Sequence, residues 1–311
     1  MTYKRLKSSN IEILNSIYCK VFKKFLFHSS YIFLCGSNVK DINSFRRKIN
    51  QKLPKLYPDI KIIYPENIFK GYLKDNPKKD MLELETILAS NADAICIIHE
   101  SPGSFAELGA FTYDNKSKFF DRIIVMTEKQ HSRKQTFLNV GPIKRIKNKY
   151  KKHQIKYDEN DKINPTINLI NNLYSLIINV KKTNRPSKQY CIRITNLVGL
   201  AYFILIYLYI KNTNININVL KRDLNLFFKS NKEIANYYNN KNVNDKIYYA
   251  SIHFLIEQEK YINEIDGKIQ IKRKGIKEIK RLIDITKEKV NNIQDDIDVI
   301  KLANLEQKLY N

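Results

Sequence analysis

The chain is short of acid. Lys and Arg number 55 against 31 Asp and Glu over 311 residues, a formal charge of +24, which favours a polyanionic partner such as nucleic acid or an acidic protein surface. The richness in Lys, Asn and Ile that accompanies an AT-rich coding sequence accounts for part of the excess, so charge alone does not establish binding. Cysteine is scarce as well. Cys19, Cys35, Cys96 and Cys191 are widely spaced, with no Cys-x-x-Cys pair and no His at a zinc spacing, which argues for a reduced, cytoplasmic protein without a structural metal. Cys35 and Cys96 fall in apolar strand-like runs, where a thiol acts as a small buried hydrophobe. The five histidines form no motif, and His99 and His131 read as packing or surface residues. Long apolar runs are missing too. The longest, LVGLAYFILIYLYI from Leu197 to Ile210, falls short of the roughly 20 residues that cross a bilayer and reads as a buried core helix, with no membrane partner. The first residues lack an uninterrupted apolar core and a cleavage site, so no signal peptide is expected.

What is present is a globular pattern, with 43% hydrophobic residues. Ile11, Leu14, Tyr18, Val21, Phe22 and Phe25 recur at helical spacing, predicting an amphipathic helix within residues 1–28 that packs on the body of the protein or on another subunit. From Tyr31 to about Ile124, strand-like runs (YIFLCG, IKIIYP, DAICIIHE, RIIVMT) alternate with helical ones (DINSFRRKINQKL, DMLELETILASN, SFAELGAFTYDN). Such alternation implies parallel strands with crossover helices, an α/β Rossmann-like sheet over residues 29–150. Ligands of such sheets bind beyond the carboxyl ends of the strands, where Gly36, Ser37, Pro65, Glu66 and the SPGS loop should gather.

After Val125 the pattern loosens into a basic, irregular segment, and residues 151–213 read as a helical connector. Residues 214–311 combine helices with two alternating runs around Asp266-Gly267, a strong two-residue hairpin signal. Lys272, Arg273 and Lys274 are expected on the return strand, as candidate nucleic-acid contacts. Helices followed by a basic hairpin suggest a winged helix-turn-helix, with Asp245 to Lys260 as recognition helix and the hairpin as wing. A protein-interaction domain remains the other reading. The tail has the apolar spacing of a helix suited to oligomer contact.

The stretch HESPGSFAELGAF carries the candidate chemistry. Pro102 and Gly103 force a tight turn, a helix is expected from Phe105, and its N–H groups suit a phosphate or ribose hydroxyl. Glu107 falls on the first turn expected of that helix. Cleavage of an N-glycosidic bond builds positive charge at the ribose C1′, which a carboxylate can stabilise or attack. Ser104 and Glu107 also have the Ser-x-x-Glu spacing of a capping box, in which Glu107 would only complete a helix start. A nicotinamide leaving group departs neutral and needs no acid, whereas a purine or pyrimidine does better with one. Asp80 and Asp93 are the candidates, against the plainer roles of helix cap and strand-start turn.

The segments FLCGSN, YPENIF, LELETILASNADAICIIHESPGSFAELGAF and FLNVGPI resemble the nucleoside deoxyribosyltransferase-like effectors encoded beside retron reverse transcriptases. The resemblance covers about the first 145 residues by motif and the remainder by layout. It implies an N-glycosidase that is the toxic arm of a type II retron anti-phage system and hydrolyses NAD, as substrate and not cofactor, to nicotinamide and ADP-ribose. On it, Glu107 takes the catalytic place. Gly36, Ser37, Glu66, Ser101, Gly103 and Ser104 take substrate-loop positions, and Asn139 is a further residue that reaches a site. The implied partners are the retron reverse transcriptase and its multicopy RNA-linked single-stranded DNA, with assembly into a homo-oligomer or filament. SPGS stands where ordinary deoxyribosyltransferases have an Asp-x-Gly-Thr type loop, which favours hydrolysis over base exchange. The competing reading is a non-catalytic nucleotide sensor whose winged helix binds DNA as a regulator.

Overall fold

The computed structural model describes residues 10–64, 68–69, 81–113, 120–132, 135–184, 193–235 and 245–309. Chain contacts divide it into two units. One spans His28–Pro65 and Asp80–Lys188; the other joins Met1–Phe27 and Glu66–Lys79 to Gln189–Asn311. The expected connector is divided between them, residues 151–188 going to the first and 189–213 to the second.

The described chain opens on helical residues 10–16 that run into a π-helical segment, α1 (Ile17–Phe22), which belongs to the second unit. The first unit is an α/β layer structure. Its strands and longer helices are β1 (Ser30–Cys35), α2 (Phe45–Leu56), β2 (Ile60–Ile63), α3 (Met81–Asn91), β3 (Ala94–Ile98), α4 (Pro102–Tyr113), β4 (Ile123–Glu128), α5 (Pro142–Lys149), β5 (Gln154–Tyr157) and α6 (Ile167–Asn184). The strands form one parallel sheet in the order β2-β1-β3-β4-β5. Strands β1, β3 and β4 are buried along their whole length, as expected of a parallel sheet covered on both faces. Alternate residues supply the two cores. Ile32, Leu34, Cys96, Met126 and Tyr157 pack with Ile49 and Leu53 of α2 and Ile170, Leu173 and Ile177 of α6. Phe33, Cys35, Ile97 and Val125 pack with Ala89 of α3, Leu108 and Phe111 of α4, and Ile143 and Ile146 of α5.

The region expected to be irregular after Val125 thus holds α5 and a fifth strand. Only Ile155 and Tyr157 of β5 are buried. A four-residue strand that carries an exposed lysine, Lys156, is a typical blunted sheet edge, and it belongs to the sheet unit because it continues the β4 ladder.

The second unit is built around α7 (Leu197–Lys211), whose residues are all buried except Tyr209 and Lys211. The Asn196 side chain caps its start, accepting from Gly199 N–H at 2.7 Å, and Asn212 ends it in the left-handed conformation at φ 46°. Tyr18 and Phe22 of α1 pack on Phe203, and Tyr18 also meets Phe227 of α8 (Ile217–Ser230). The remaining strands and longer helices are a short β6 (Ile215–Asn216), α9 (Asp245–His253), β7 (Ile262–Ile265), β8 (Lys268–Ile271), α10 (Arg273–Lys287) and α11 (Ile293–Leu309). The hairpin forms as expected: Ile265 pairs with Lys268, and Asp266 and Gly267 turn with φ of 50° and 68°, the positive values a type I′ turn requires. β6 adds on the other side of β8, giving the order β6-β8-β7. Lys272, Arg273 and Lys274 are not on the return strand. β8 stops at Ile271 and Arg273 begins α10; the turn into the helix is tight, with Lys272 N–H donating to the Tyr261 carbonyl at 2.8 Å and Gly275 standing where an added Cβ would lie 2.5 Å from the same oxygen. All three side chains are exposed, and Lys274 Nζ donates to the Glu259 carbonyl at 2.7 Å.

Candidate active site

The strand order of the parallel sheet reverses between β1 and β3, and the crevice at such a switch point is where ligands of open α/β sheets bind. Cys35-Gly36-Ser37 leave β1 there, and His99-Glu100-Ser101 leave β3. Glu100, which the sequence did not single out, organises this edge. Its carboxylate accepts from the backbone N–H of Ser37 at 2.9 Å, Phe45 at 2.9 Å and Arg46 at 3.0 Å, and from the Ser44 hydroxyl at 3.3 Å. It therefore fills the start of α2, where free N–H groups would otherwise attract an anion. Gly36 makes room for it: a Cβ there would lie 2.8 Å from Glu100 Oε1 and 2.9 Å from Arg46 Cβ. Gly36 and Ser37 thus hold a side chain of the protein itself.

The SPGS turn is closed by its two serines. Ser101 Oγ accepts from Ser104 N–H at 3.2 Å, and Ser104 Oγ accepts from Ser101 N–H at 3.1 Å. This is a reciprocal cap with serine in both places, and it starts α4 at Pro102. The helix begins three residues earlier than the sequence pattern suggested, because proline suits the first helical position and Ser101 supplies the cap. Ser104 is buried and Gly103 exposed. Glu107 consequently stands on the second turn, past the capping positions, so the Ser104–Glu107 capping box does not form.

Glu107 is half-buried and reaches Cys35 at the carboxyl end of β1. Burial first, and then the Glu107 charge, push the Cys35 thiol well above its usual pKa, so it stays protonated and hydrogen-bonds to the Glu107 carboxylate. Arg46 and Glu85 also act electrostatically on that thiol. Arg46 is 7% exposed and its guanidinium donates to the Ser37 carbonyl at 3.4 Å. The arrangement therefore places an ionisable carboxylate, Glu107, beside a buried thiol, with a second carboxylate, Glu85 of α3, and a guanidinium in the same electrostatic neighbourhood. Glu85 was legible only as one polar position of a helical pattern.

The other sequence-derived candidates disperse. Asp93 precedes β3 at the amino edge of the sheet, the far end from the crevice, and its carboxylate accepts from Tyr31 N–H at 2.9 Å. It is a strand brace and not a general acid. Glu66 and Asp80 lie outside the described residues. Asn139 Nδ2 donates to the His131 carbonyl at 2.7 Å, tying together the chain beyond β4. His131 faces His99, with ring centroids 6.5 Å apart, and His99 lies 4.3 Å from the Phe105 ring. Both His99 ring nitrogens are buried without a hydrogen-bond partner among the described residues, and burial, followed by His131, holds its pKa below the ordinary value. No group of side chains able to hold a metal ion occurs among the described residues. No described helix is long and apolar enough to cross a membrane.

Residues 42–304 match the model of the STM3845 retron effector protein family. The chain is also 30% identical over 246 residues to an Escherichia coli protein named "Retron Ec86 putative ribosyltransferase/DNA-binding protein", covering 76% of this chain and 74% of that one. A second E. coli relative, the Retron Ec73 protein of the same description, is 29% identical over 120 residues, 37% of each chain. The chain belongs to the STM3845 retron effector family.

Proposed function

We propose that this retron effector is an N-glycosidase of the nucleoside deoxyribosyltransferase-like class that hydrolyses NAD to nicotinamide and ADP-ribose, with Glu107 as its catalytic carboxylate. The observation that carries the reading is the position of Glu107, clear of the helix cap that Ser101 and Ser104 complete and held against the Cys35 thiol at the β1 end of the crevice. The ribosyltransferase wording in the relatives' names agrees with glycosyl chemistry.

In the proposed reaction the bond between C1′ and the pyridinium nitrogen breaks and its electron pair leaves with nicotinamide, which departs neutral without a proton. The positive charge left on the ribose is stabilised, or captured as an ester, by Glu107. Water then adds to C1′ and gives up its proton to a carboxylate: Glu107 or Glu85 where the ribose cation was only stabilised, and Glu85 where an ester had formed, whose C1′–O bond breaks and returns its electron pair to Glu107. The Cys35 hydrogen bond fixes one face of Glu107, and the exposed Gly103 lets the substrate approach the backbone at the loop.

The second unit is proposed to be a winged helix-turn-helix. Its order α7, β6, α8, α9, β7, β8 with a β6-β8-β7 sheet supports this, with Lys272 and Arg273 beside the hairpin as nucleic-acid contacts. The proposed partners are the retron reverse transcriptase and its RNA-linked single-stranded DNA, which would restrain the effector until infection. The test is incubation of the purified protein, freed of partners, with NAD and separately with other nucleotides, while released base is followed by chromatography. Nicotinamide and ADP-ribose in equal amounts are expected. A folded protein that releases no base from any of them is the sensor and regulator of the competing reading.

A further inference from the structure

The helical unit contains a cavity of about 270 Å³ lined by residues 209–212 at the end of α7, Ile271 at the end of β8, Ile276 in the first turn of α10, and Lys301, Asn304 and Leu305 of α11. Three of its features ask for a ligand. Asn304 is only 2% exposed, yet its Oδ1 has no hydrogen-bond partner among the described residues. A buried acceptor in that state is unfavourable until a donor reaches it. Beside it runs the last turn of α7, where a helix leaves carbonyl groups without intrahelical partners. Lys301, one turn before Asn304, rests its ammonium 4.1 Å from the Tyr209 ring centroid and on no carboxylate among the described residues. Lys211, on the same lining, donates to Asn10 Oδ1 at 2.9 Å.

The buried Asn304 oxygen calls for an N–H donor, while two lysines on the lining repel a cation and call for an anion. Ile271, Ile276, Leu305 and the Tyr209 ring leave apolar surface between those ends. The volume lies just under the roughly 300 Å³ at which pockets for drug-sized ligands begin, room for one mononucleotide and not for a dinucleotide. We propose that this cavity binds a nucleotide: Asn304 takes the exocyclic amine of the base, the aliphatic wall covers its ring, and Lys301 and Lys211 meet its phosphate. The same chemistry is offered by a free mononucleotide and by one residue of a single-stranded DNA. This site is independent of Glu107 and stands whether or not base release is observed.

Calorimetric titration of the full chain carrying Glu107→Gln, so that no turnover intervenes, tests it with AMP, with the purine riboside monophosphate that lacks the 6-amino group, and with an oligodeoxyadenylate. AMP is expected to bind saturably and at least about tenfold more tightly than the analogue without the amine, since a site built to pair a polar group rejects ligands lacking it. Asn304→Leu, which removes an unpaired acceptor and keeps the volume, should stay folded and erase that preference. Lys301→Gln, at a half-exposed position that leaves packing intact, should weaken AMP by about tenfold, the loss of one charged phosphate contact. Competition between oligodeoxyadenylate and AMP assigns the site to DNA; AMP binding that the oligonucleotide leaves untouched assigns it to the free nucleotide. No saturable AMP binding, or AMP affinity unchanged by Lys301→Gln, overturns the proposal and leaves a cavity that holds water.

Discussion

At the scale of single residues, the crevice distinguishes carboxylates that brace the fold from one that does not. Glu100 and Asp93 spend their oxygens on backbone N–H groups, whereas Glu107 faces a thiol. Glu107→Gln keeps an acceptor for Cys35 and removes the charge, so the variant should melt close to the parent temperature while base release falls by roughly 10³-fold, in the range found when a transition-state stabiliser is lost. Base release at the parental rate would return Glu107 to a structural role. His99 makes a prediction of pH. Its folded pKa is depressed by burial, so the unfolded chain binds more protons as pH drops below the ordinary His value of about 6.5, and stability is lost on that side. His99→Phe, which keeps the stacking on Phe105, should flatten the acid limb of a melting-temperature profile. Part of the limb remains, because burial lowers His153 as well. An unchanged limb would show that the imidazole is not held neutral.

At the scale of elements, the sequence revealed types better than ends. Four strands and their crossover helices were legible because buried parallel strands are continuous Ile, Val and Cys runs that alternate with 3.6-residue patterns. The Asp266-Gly267 hairpin was legible because its turn demands positive φ at both positions. The start of α4 was misplaced by three residues, since serine can stand at either end of a cap and only the hydrogen bonds decide which. β5 escaped notice because two buried residues separated by a lysine carry little periodicity, and α10 because nothing local marks Gly275 as a contact with Tyr261. The sequence pattern singled out Glu107, the residue proposed for catalysis, and was blind at Glu100, whose role depends on α2, which begins 55 residues earlier in the chain. Gly36 looked like a ligand-facing glycine and serves that same contact. Gly36→Ala forces a Cβ within 2.8 Å of Glu100 Oε1, an overpacking cost of about 1–3 kcal/mol visible as a lower midpoint in chemical denaturation. Glu100→Ala strips three backbone donors and should cost at least as much. A neutral result for both would mean that the α2 start is satisfied by other means.

At the scale of the whole molecule, the charge excess gains an address. No Asp or Glu interrupts residues 141–157, and Lys144, Lys147, Lys149, Lys151 and Lys152 are exposed on α5 and the turn that follows. This ridge lies on the sheet unit, apart in sequence from the hairpin of the helical unit. If both meet phosphates, binding to single-stranded DNA weakens with salt at about 0.7 log unit per contact per tenfold rise in salt. Lys147→Gln with Lys151→Gln should lower that slope by roughly 1.4 while leaving base release from NAD unchanged. A slope that stays the same would confine nucleic-acid contact to the hairpin side.

The composition of the helical unit has a last consequence, one of timing. Phe22 packs on Phe203, yet the whole sheet unit is encoded between them. At roughly 5–20 residues per second, the ribosome takes about 10–40 s to travel from one to the other. During that interval all five strands have been made, and α1 waits for the helix that Phe22 packs on. A pulse of synthesis arrested near residue 188 would therefore hold every residue named around Glu107 and none of α7 to α11. In a growing chain, the machinery proposed for damage is complete before the unit proposed to meet nucleic acid has its central helix.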